Sequence, residues 1–320
     1  MAVKALKLKS KRSPQKLPGL SDVRLTGLVE GYGCSEYPYE VNLTQLRVEG
    51  FEGSWRCCKL GCGGWGCAYR CVNGEGREVV AKVPHGYGHV IEQGSEAPTV
   101  PERFMRKLID KAKALRALRH CNVIALLGYS EVAPLLIYEY AKQGSLEWQL
   151  RHGWKPGLRD VLVVAAHVAN GLRYVHSRGL VHGDVKPANL FISDGVVKLG
   201  DFSGAVKLLS MISSSGSSMY TVGWRAPEQV YSDLKEKAVK EGLENRVDVY
   251  QLGNLILYLL TGTTIDGEDV VRGDLVRNAL RNVRHGELRE LLSQMLSKEA
   301  EARPSADECL TKIRSMLANL

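Results

Sequence analysis

At 320 residues the chain has room for one domain of two lobes or for two modest domains. Apolar residues make up 44% and charged residues 24%, which excludes wholesale disorder and collagen-like repeats, and no apolar run reaches the roughly 18 residues that a membrane span needs. The net charge of +8 is concentrated at one end: Lys4, Lys7, Lys9, Lys11, Arg12 and Lys16 stand in residues 1–19 with no acid among them, and the other 37 basic and 35 acidic residues leave only +2. That tail reads first as a flexible, solvated end and second as a contact for nucleic acid or an acidic partner. The first residues alternate lysine with apolar side chains and lack a continuous apolar core, so a secretory signal is not expected and a cytoplasmic location is.

Pro18-Gly19 marks a boundary after the tail, and residues 20–54 form an N-terminal extension that composition does not assign. From Trp55 the pattern sharpens into β-rich runs at 55–62, 66–72 and 78–84, the last two joined by a turn for which Asn73-Gly74 predicts a tight hairpin. Residues 84–101, rich in Gly and Pro, read as a loop. Arg103–Leu118 reads as a helix with Leu108, Leu115 and Leu118 on its inner face, and strands follow near 123–128 and 135–140. Helical signals then dominate: Leu158–Ser177 is apolar on one side, Val247–Thr261 reads as buried, and Leu288, Leu291, Leu292, Met295 and Leu296 keep the spacing of an amphipathic helix. Strands first and helices second predict an α+β protein of two lobes.

Five of the eight cysteines crowd into one stretch: Cys57, Cys58, Cys62, Cys67 and Cys71. Without a C-x-x-C pair or a His at zinc-finger spacing, a structural zinc site is not expected. A disulfide scaffold is not expected either in a chain of this length without a signal peptide. The cysteines read as small, half-buried strand residues.

Two stretches carry chemistry. Gly61-Cys62-Gly63-Gly64-Trp65-Gly66 is a Gly-x-Gly-x-x-Gly loop, whose backbone N–H groups can approach phosphates with no Cβ in the way. It lacks the following helix of a dinucleotide fold; a strand follows instead, and then Val79-Val80-Ala81-Lys82. The second stretch is His182-Gly183-Asp184-Val185-Lys186-Pro187-Ala188-Asn189, followed by Gly200-Asp201-Phe202-Ser203 and later by Ala226-Pro227-Glu228. Phosphoryl transfer from ATP needs a carboxylate for the attacking hydroxyl, an amide and a carboxylate for Mg²⁺, and a cation on the phosphates. Asp184, Asn189, Asp201 and Lys82 are that set. Any one of them alone is more often a cap or a turn residue.

With these residues in order, the sequence resembles the eukaryotic-type serine/threonine protein kinase family over about residues 55–317. The resemblance implies a bilobal fold, a small β-rich lobe at about 55–140 over a larger helical lobe at about 141–317, with ATP and Mg²⁺ in the cleft and protein serine or threonine as acceptor. It implies Gly61, Gly63 and Gly66 as the glycine-rich loop, Leu60, Ala68 and Val80 as the roof over adenine, Phe191 as its floor, and Lys82 on the α- and β-phosphates. Tyr138 takes the gatekeeper position, and Glu139-Tyr140-Ala141 the hinge, with Glu139 and Ala141 on the adenine edge. Asp184 takes the role of catalytic base, and Asn189 and Asp201 those of Mg²⁺ ligands. Lys186 and Thr221 are the pair that marks serine/threonine specificity. Leu115, Leu126, His182 and Phe202 form the apolar column between the lobes, Asp248 organises the catalytic loop, and Glu228 with Arg303 forms a buried ion pair.

Three positions depart from the family pattern. Gly183 replaces an arginine that pairs with a phosphate on the activation segment, which predicts an enzyme independent of that switch, with the serines at 210–218 read as a polar loop. Ser203 replaces a glycine after Asp201-Phe202. Nine residues before His120, where a helix glutamate should pair with Lys82, stands Lys111. Asp110 after a small helix rotation, or Glu92, Glu96 or Glu102 from the insertion, could take that place, or phosphotransfer is weak. The competing readings are a nucleotide-binding pseudokinase or scaffold and a small-molecule kinase; the Thr221–Glu228 stretch speaks for a peptide-binding segment. Cys62 and Cys67 stand in the phosphate loop, where oxidation would bear on ATP binding.

Overall fold

Buried residues recur at every second position through three consecutive strands: Trp55 and Cys57, then Cys67, Tyr69 and Cys71, then Val79, Ala81 and Val83. A period of two turns all of them to one face. The computed structural model describes residues 23–94, 99–202, 221–270 and 274–320, with the backbone of 206–207. The basic tail, Glu96, Ser203 and the serines at 210–218 lie outside the described residues.

β1 (Tyr39–Asn42), β2 (Ser54–Cys62), β3 (Gly66–Asn73), β4 (Glu78–Pro84), β5 (Leu126–Tyr129) and β6 (Leu136–Glu139) form one antiparallel sheet in the order β1-β2-β3-β4-β6-β5. Its inner face packs with Val41, Leu43, Leu46, Val48 and Phe51, so residues 39–51 of the extension contribute to the core of this sheet. The turn between β3 and β4 is wider than the tight Asn73-Gly74 hairpin expected. Asn73 Oδ1 accepts from the backbone N–H groups of Glu75 and Arg77, and Gly76, not Gly74, takes the left-handed φ of +79°. The expected loop at 84–101 includes a helical turn, α1 (His89–Glu92), that buries Val90 and Ile91.

α2 (Glu102–Arg116) buries Leu108, Ala112 and Leu115 toward β5, the inner face expected from its spacing. Beyond the sheet come α3 (Leu146–Arg151), α4 (Leu158–His176), β7 (Leu180–Val181), and the hairpin of β8 (Leu190–Ser193) and β9 (Val196–Leu199). Helices complete the chain: α5 (Pro227–Val230), α6 (Ser232–Lys240), α7 (Arg246–Thr261), α8 (Gly267–Val270), α9 (Leu275–Leu280), α10 (Gly286–Met295) and α11 (Ala306–Ala318). α4 is buried at every position from Val161 to Leu172, where one apolar face was expected, because α7, α11 and β9 pack around it. Even its polar His167 and Asn170 lie inside.

The cysteine reading is corrected. Six of the eight cysteines pair as Cys34–Cys58, Cys57–Cys71 and Cys62–Cys67, leaving Cys121 and Cys309 as thiols. The physical reason is register. Cys57 faces Cys71, and Cys62 faces Cys67, across the antiparallel β2–β3 pair, and a bulge between Lys59 and Gly61 shifts the ladder by one residue to make both pairings hold.

Candidate active site

The glycine loop is the β2–β3 hairpin. Gly63 N donates to Gly66 O at 2.9 Å, and the Cys62–Cys67 disulfide closes the base of the loop. A Cβ on Gly66 would stand 1.9 Å from the Val83 carbonyl oxygen, so close strand packing demands glycine there, whereas Gly63 faces open space. Trp65, at the tip, lies over Lys82, whose Nζ is 5.4 Å from the indole centroid.

A cleft of about 600 Å³, open to solvent, lies beneath this hairpin. Leu60, Ala68, Val80, Lys82, Tyr138, Glu139, Ala141, Phe191 and Asp201 line it, as the sequence expects, and Tyr32, Ile124 and Tyr140 join them. Tyr32 and Ile124 were not read from the sequence. Ile124 follows the buried Asn122-Val123 link to β9, and Tyr32 belongs to the unassigned extension, with no motif to mark it.

The 182–189 loop is fixed from behind by Asp248, the first-turn acid of α7. Its carboxylate accepts from His182 N at 2.9 Å, from Gly183 N at 2.7 Å and from His176 Nε2 at 2.8 Å. Burial by itself would raise the Asp248 carboxyl; His176, His182 and the Gly183 N–H reverse that and hold it below the usual range. Gly183 takes a left-handed φ of +78°, and its carbonyl accepts from Gln229 and Gln251. A side chain there would carry a backbone cost of about 1–2 kcal/mol.

The loop presents a joined polar cluster. Asp184 Oδ2 accepts from Lys186 Nζ and from Asn189 Nδ2, each at 2.7 Å, while Thr221 Oγ1 donates to Asp184 Oδ1 at 3.3 Å and also contacts Lys186 Nζ. With the Asn189 amide nitrogen so engaged, its oxygen is the end left to meet a cation. Gly200 N donates to Asn189 O at 2.9 Å, which ties this cluster to Asp201. His182 Nε2 bonds to Gly200 O, and its ring packs edge-on against Phe202 at 4.8 Å. Asp201 itself holds a left-handed φ of +52°, a strained geometry of the kind that clusters at functional sites.

Lys82 finds its carboxylate in Asp201, at 2.8 Å. None of the expected acids among the described residues takes the helix position. Asp110 is exposed, Glu102 pairs with Arg106, and Glu92 is engaged by Lys59 and by the Tyr69 hydroxyl. Lys111 sits there, sharing a small cavity with Lys82, Asp201 and Trp65. Burial pushes its ammonium down to about 8, opposed by Asp201 and reinforced by Lys82. Deeper in the helical lobe, Arg303 clasps Glu228 through two bonds of 2.6 and 2.8 Å with both side chains buried. The apolar column residues Leu115, Leu126, His182 and Phe202 are all buried.

A glycine hairpin, Lys82, residues 138–141 and Asp201 now border one cleft, and the Asp184, Lys186 and Asn189 cluster is bonded to the chain next to Asp201. The family described as "Protein kinase domain" matches residues 56–313. The chain belongs to the protein kinase family. It is 32% identical over 244 residues to the probable LRR receptor-like serine/threonine-protein kinase IRK of Arabidopsis thaliana, a match over 72% of this chain and 23% of that protein. It is 29% identical over 208 residues to a probable serine/threonine-protein kinase of Dictyostelium discoideum, over 64% of this chain and 38% of that one. The chain therefore spans well under half the length of these curated relatives. The crystal structure of Rad53 1-466 in complex with AMP-PNP shares the bilobal α+β fold, with a TM-score of 0.61 at 18% identity over 81% of this chain and 64% of that one.

A divalent cation fits the donor set of this kinase cleft. Asp201 and Asn189 offer a carboxylate and an amide oxygen, and no cluster of three or more His, Cys, Asp or Glu stands among the described residues to hold a metal alone. The remaining ligands of a hard cation would be phosphate and water oxygens.

Proposed function

We propose that the protein is a serine/threonine protein kinase that transfers the γ-phosphate of ATP to protein hydroxyl groups. The observation that carries this reading is the single hydrogen-bonded cluster of Asp184, Lys186, Asn189 and Thr221, set beside the Lys82–Asp201 pair. Asp184 accepts the proton of the attacking serine or threonine as its oxygen bonds to the γ-phosphorus and the bond to the β-phosphate oxygen breaks, leaving ADP. Lys186 steadies the transferred phosphoryl group, and Lys82 and the loop N–H groups hold the phosphates behind it. Mg²⁺, held by Asn189 and Asp201, would neutralise charge on the phosphate oxygens.

Gly183 supports activity without activation-segment phosphorylation, because the position that would receive such a phosphate carries no cation and its carbonyl is tied to Gln229 and Gln251. The acceptors are proteins; a nucleic acid or acidic partner for the basic tail is a secondary reading. A cytoplasmic location would keep the cysteines reduced, and the three disulfides weigh toward an oxidising compartment. No helix among the described residues is long and apolar enough to cross a membrane.

Lys111 motivates the second reading, a nucleotide-binding pseudokinase. One assay separates the two: transfer of labelled γ-phosphate to a generic basic protein, with Asp184→Asn in parallel. The kinase reading expects label on serine or threonine that drops by about 10²–10⁴-fold in Asp184→Asn. Label no greater than in that variant, with ATP still bound, establishes the pseudokinase instead.

A further inference from the structure

Residues 23–34 run as a strap from the helical lobe, along the hinge, to the sheet. Leu25 N donates to Gly195 O at 3.1 Å, at the β8–β9 turn, and the Trp154 indole N–H donates to Thr26 O at 3.0 Å. Gln149, wholly buried on α3, both accepts from Val29 N at 2.7 Å and donates to Val29 O at 2.8 Å. A buried amide that uses both its ends on one backbone residue fixes the path of the strap, since leaving either end unmade would cost a buried polar group. Beyond the hinge, Cys34 is bonded to Cys58 on β2, three residues ahead of Gly61.

Between these anchors Tyr32 faces the cleft. Its carbonyl accepts from the hydroxyl of hinge residue Tyr140 at 2.9 Å, its ring stacks on that of Tyr140 at 6.3 Å, and the edge of Trp148 meets it at 5.4 Å. The Arg70 guanidinium lies over the Tyr140 ring, 4.6 Å from its centroid. On the hinge side a Cβ at Gly144 would stand 2.5 Å from the Tyr32 ring, so the chain just past the hinge leaves room for that ring and no more. Burial raises the Tyr32 phenol above its ordinary range, so it stays neutral. The ring is thus held on three sides, and its open side is the wall of the nucleotide cleft next to Tyr140 and Ala141.

We propose that Tyr32, from outside the region that matches the kinase family, is a nucleotide-contacting residue, its ring closing the hinge end of the cleft against the nucleoside of bound ATP. The inference rests on the nucleotide-binding reading of this cleft and adds to it a wall supplied by the strap. A rigid aromatic side chain, already ordered by its neighbours, gives contact area with little loss of side-chain freedom on binding.

The test is direct ATP binding and steady-state kinetics on the full chain for the unaltered protein, Tyr32→Phe, Tyr32→Leu and Tyr32→Ala, with melting temperature measured without nucleotide. In Tyr32→Ala the ATP Kd and KM rise about tenfold, equivalent to about 1.4 kcal/mol, while kcat and the KM for protein substrate hold. Tyr32→Phe keeps the ring and stays close to the unaltered protein, and Tyr32→Leu, which retains bulk if Tyr32→Ala does not fold, falls between. A purely structural strap would lower the melting temperature of these variants and leave the ATP KM in place, which overturns the inference while the unaltered chain still binds ATP. Failure of the unaltered chain to bind ATP overturns the nucleotide reading, and this inference with it.

Discussion

Lys82 and Lys111 are two cations brought together around one carboxylate, Asp201. In this arrangement the acid expected to hold a cation at the phosphates also serves as the partner of Lys82, and like charges within one small cavity repel. Lys111→Glu would supply Lys82 with its own carboxylate and release Asp201. The expected outcome is a gain in kcat/KM for phosphotransfer of about fivefold, matching about 1 kcal/mol of improved positioning. Unchanged or lower kcat/KM would show that the Lys82–Asp201 pair is a working arrangement in itself. The lysine at 111 was legible by counting back from His120. Its consequence was not, because Lys82 and Asp201 are 119 residues apart and only the fold decides which acid reaches which lysine. Tyr32 was hidden for the same reason: its neighbours Tyr140, Gly144 and Trp148 are remote in sequence, and no periodicity marks a strap.

At the scale of elements, the strands and long helices were legible because each repeats its apolar residues at the period of its own geometry. The helical turn at His89–Glu92 is too short to show a period, and the disulfides follow from strand register, which composition and chain length do not carry. Counting residues back from the glycine loop places Cys62 opposite Cys67 at once; only the bulge near Leu60, which no composition signals, then brings Cys57 opposite Cys71. The Cys62–Cys67 bond spans the glycine loop, and Cys62 is exposed, whereas the other cross-strand pair is buried. Closing so short a loop removes about 2 kcal/mol of chain freedom in the entropy model of disulfides, and on the proposed function it would order the loop N–H groups in advance of ATP. Mild reduction should therefore raise the KM for ATP about threefold or more, on the preorganisation argument, and a Cys62→Ser/Cys67→Ser double variant should begin at that higher KM and respond less to reductant, through the Cys34–Cys58 anchor of the strap alone. Thiol titration under denaturing conditions supplies the control, with two thiols before full reduction and eight after. A KM indifferent to reductant while thiols appear at 62 and 67 would show that the strands alone order the loop.

Taken as a whole molecule, the protein is held together by buried polar groups as well as by its two apolar cores, and these set its response to acid. His167 lies within α4 at the centre of the helical lobe, 2% exposed, and its Nδ1 accepts from Val197 N on β9 at 3.2 Å. Burial, then the nearby Arg24 of the strap, pushes the imidazole down to about 4, against a hydrogen bond that the ring donates to the Val23 backbone, which raises it. His120, stacked on Tyr174, is likewise brought to about 4 by burial, then Arg173 and Lys198. The unfolded chain titrates these rings near 6.5, so between about 6.5 and 4 it binds protons that the folded chain refuses, and stability falls as pH falls through that window. Above it both states are neutral and the effect vanishes. His167→Gln retains an acceptor for the Val197 N–H but cannot take a proton. Urea unfolding at pH 7.5, 5.5 and 4.5 should show the variant losing about 2 kcal/mol less than the unaltered protein across the span, with His120 left to account for a loss of similar size. Parallel loss in the two proteins would mean that His167 is protonated in the folded state, which requires Nδ1 to release Val197 and β9 to part from α4; protection of the Val197 amide against exchange at pH 4.5 reports that separation directly.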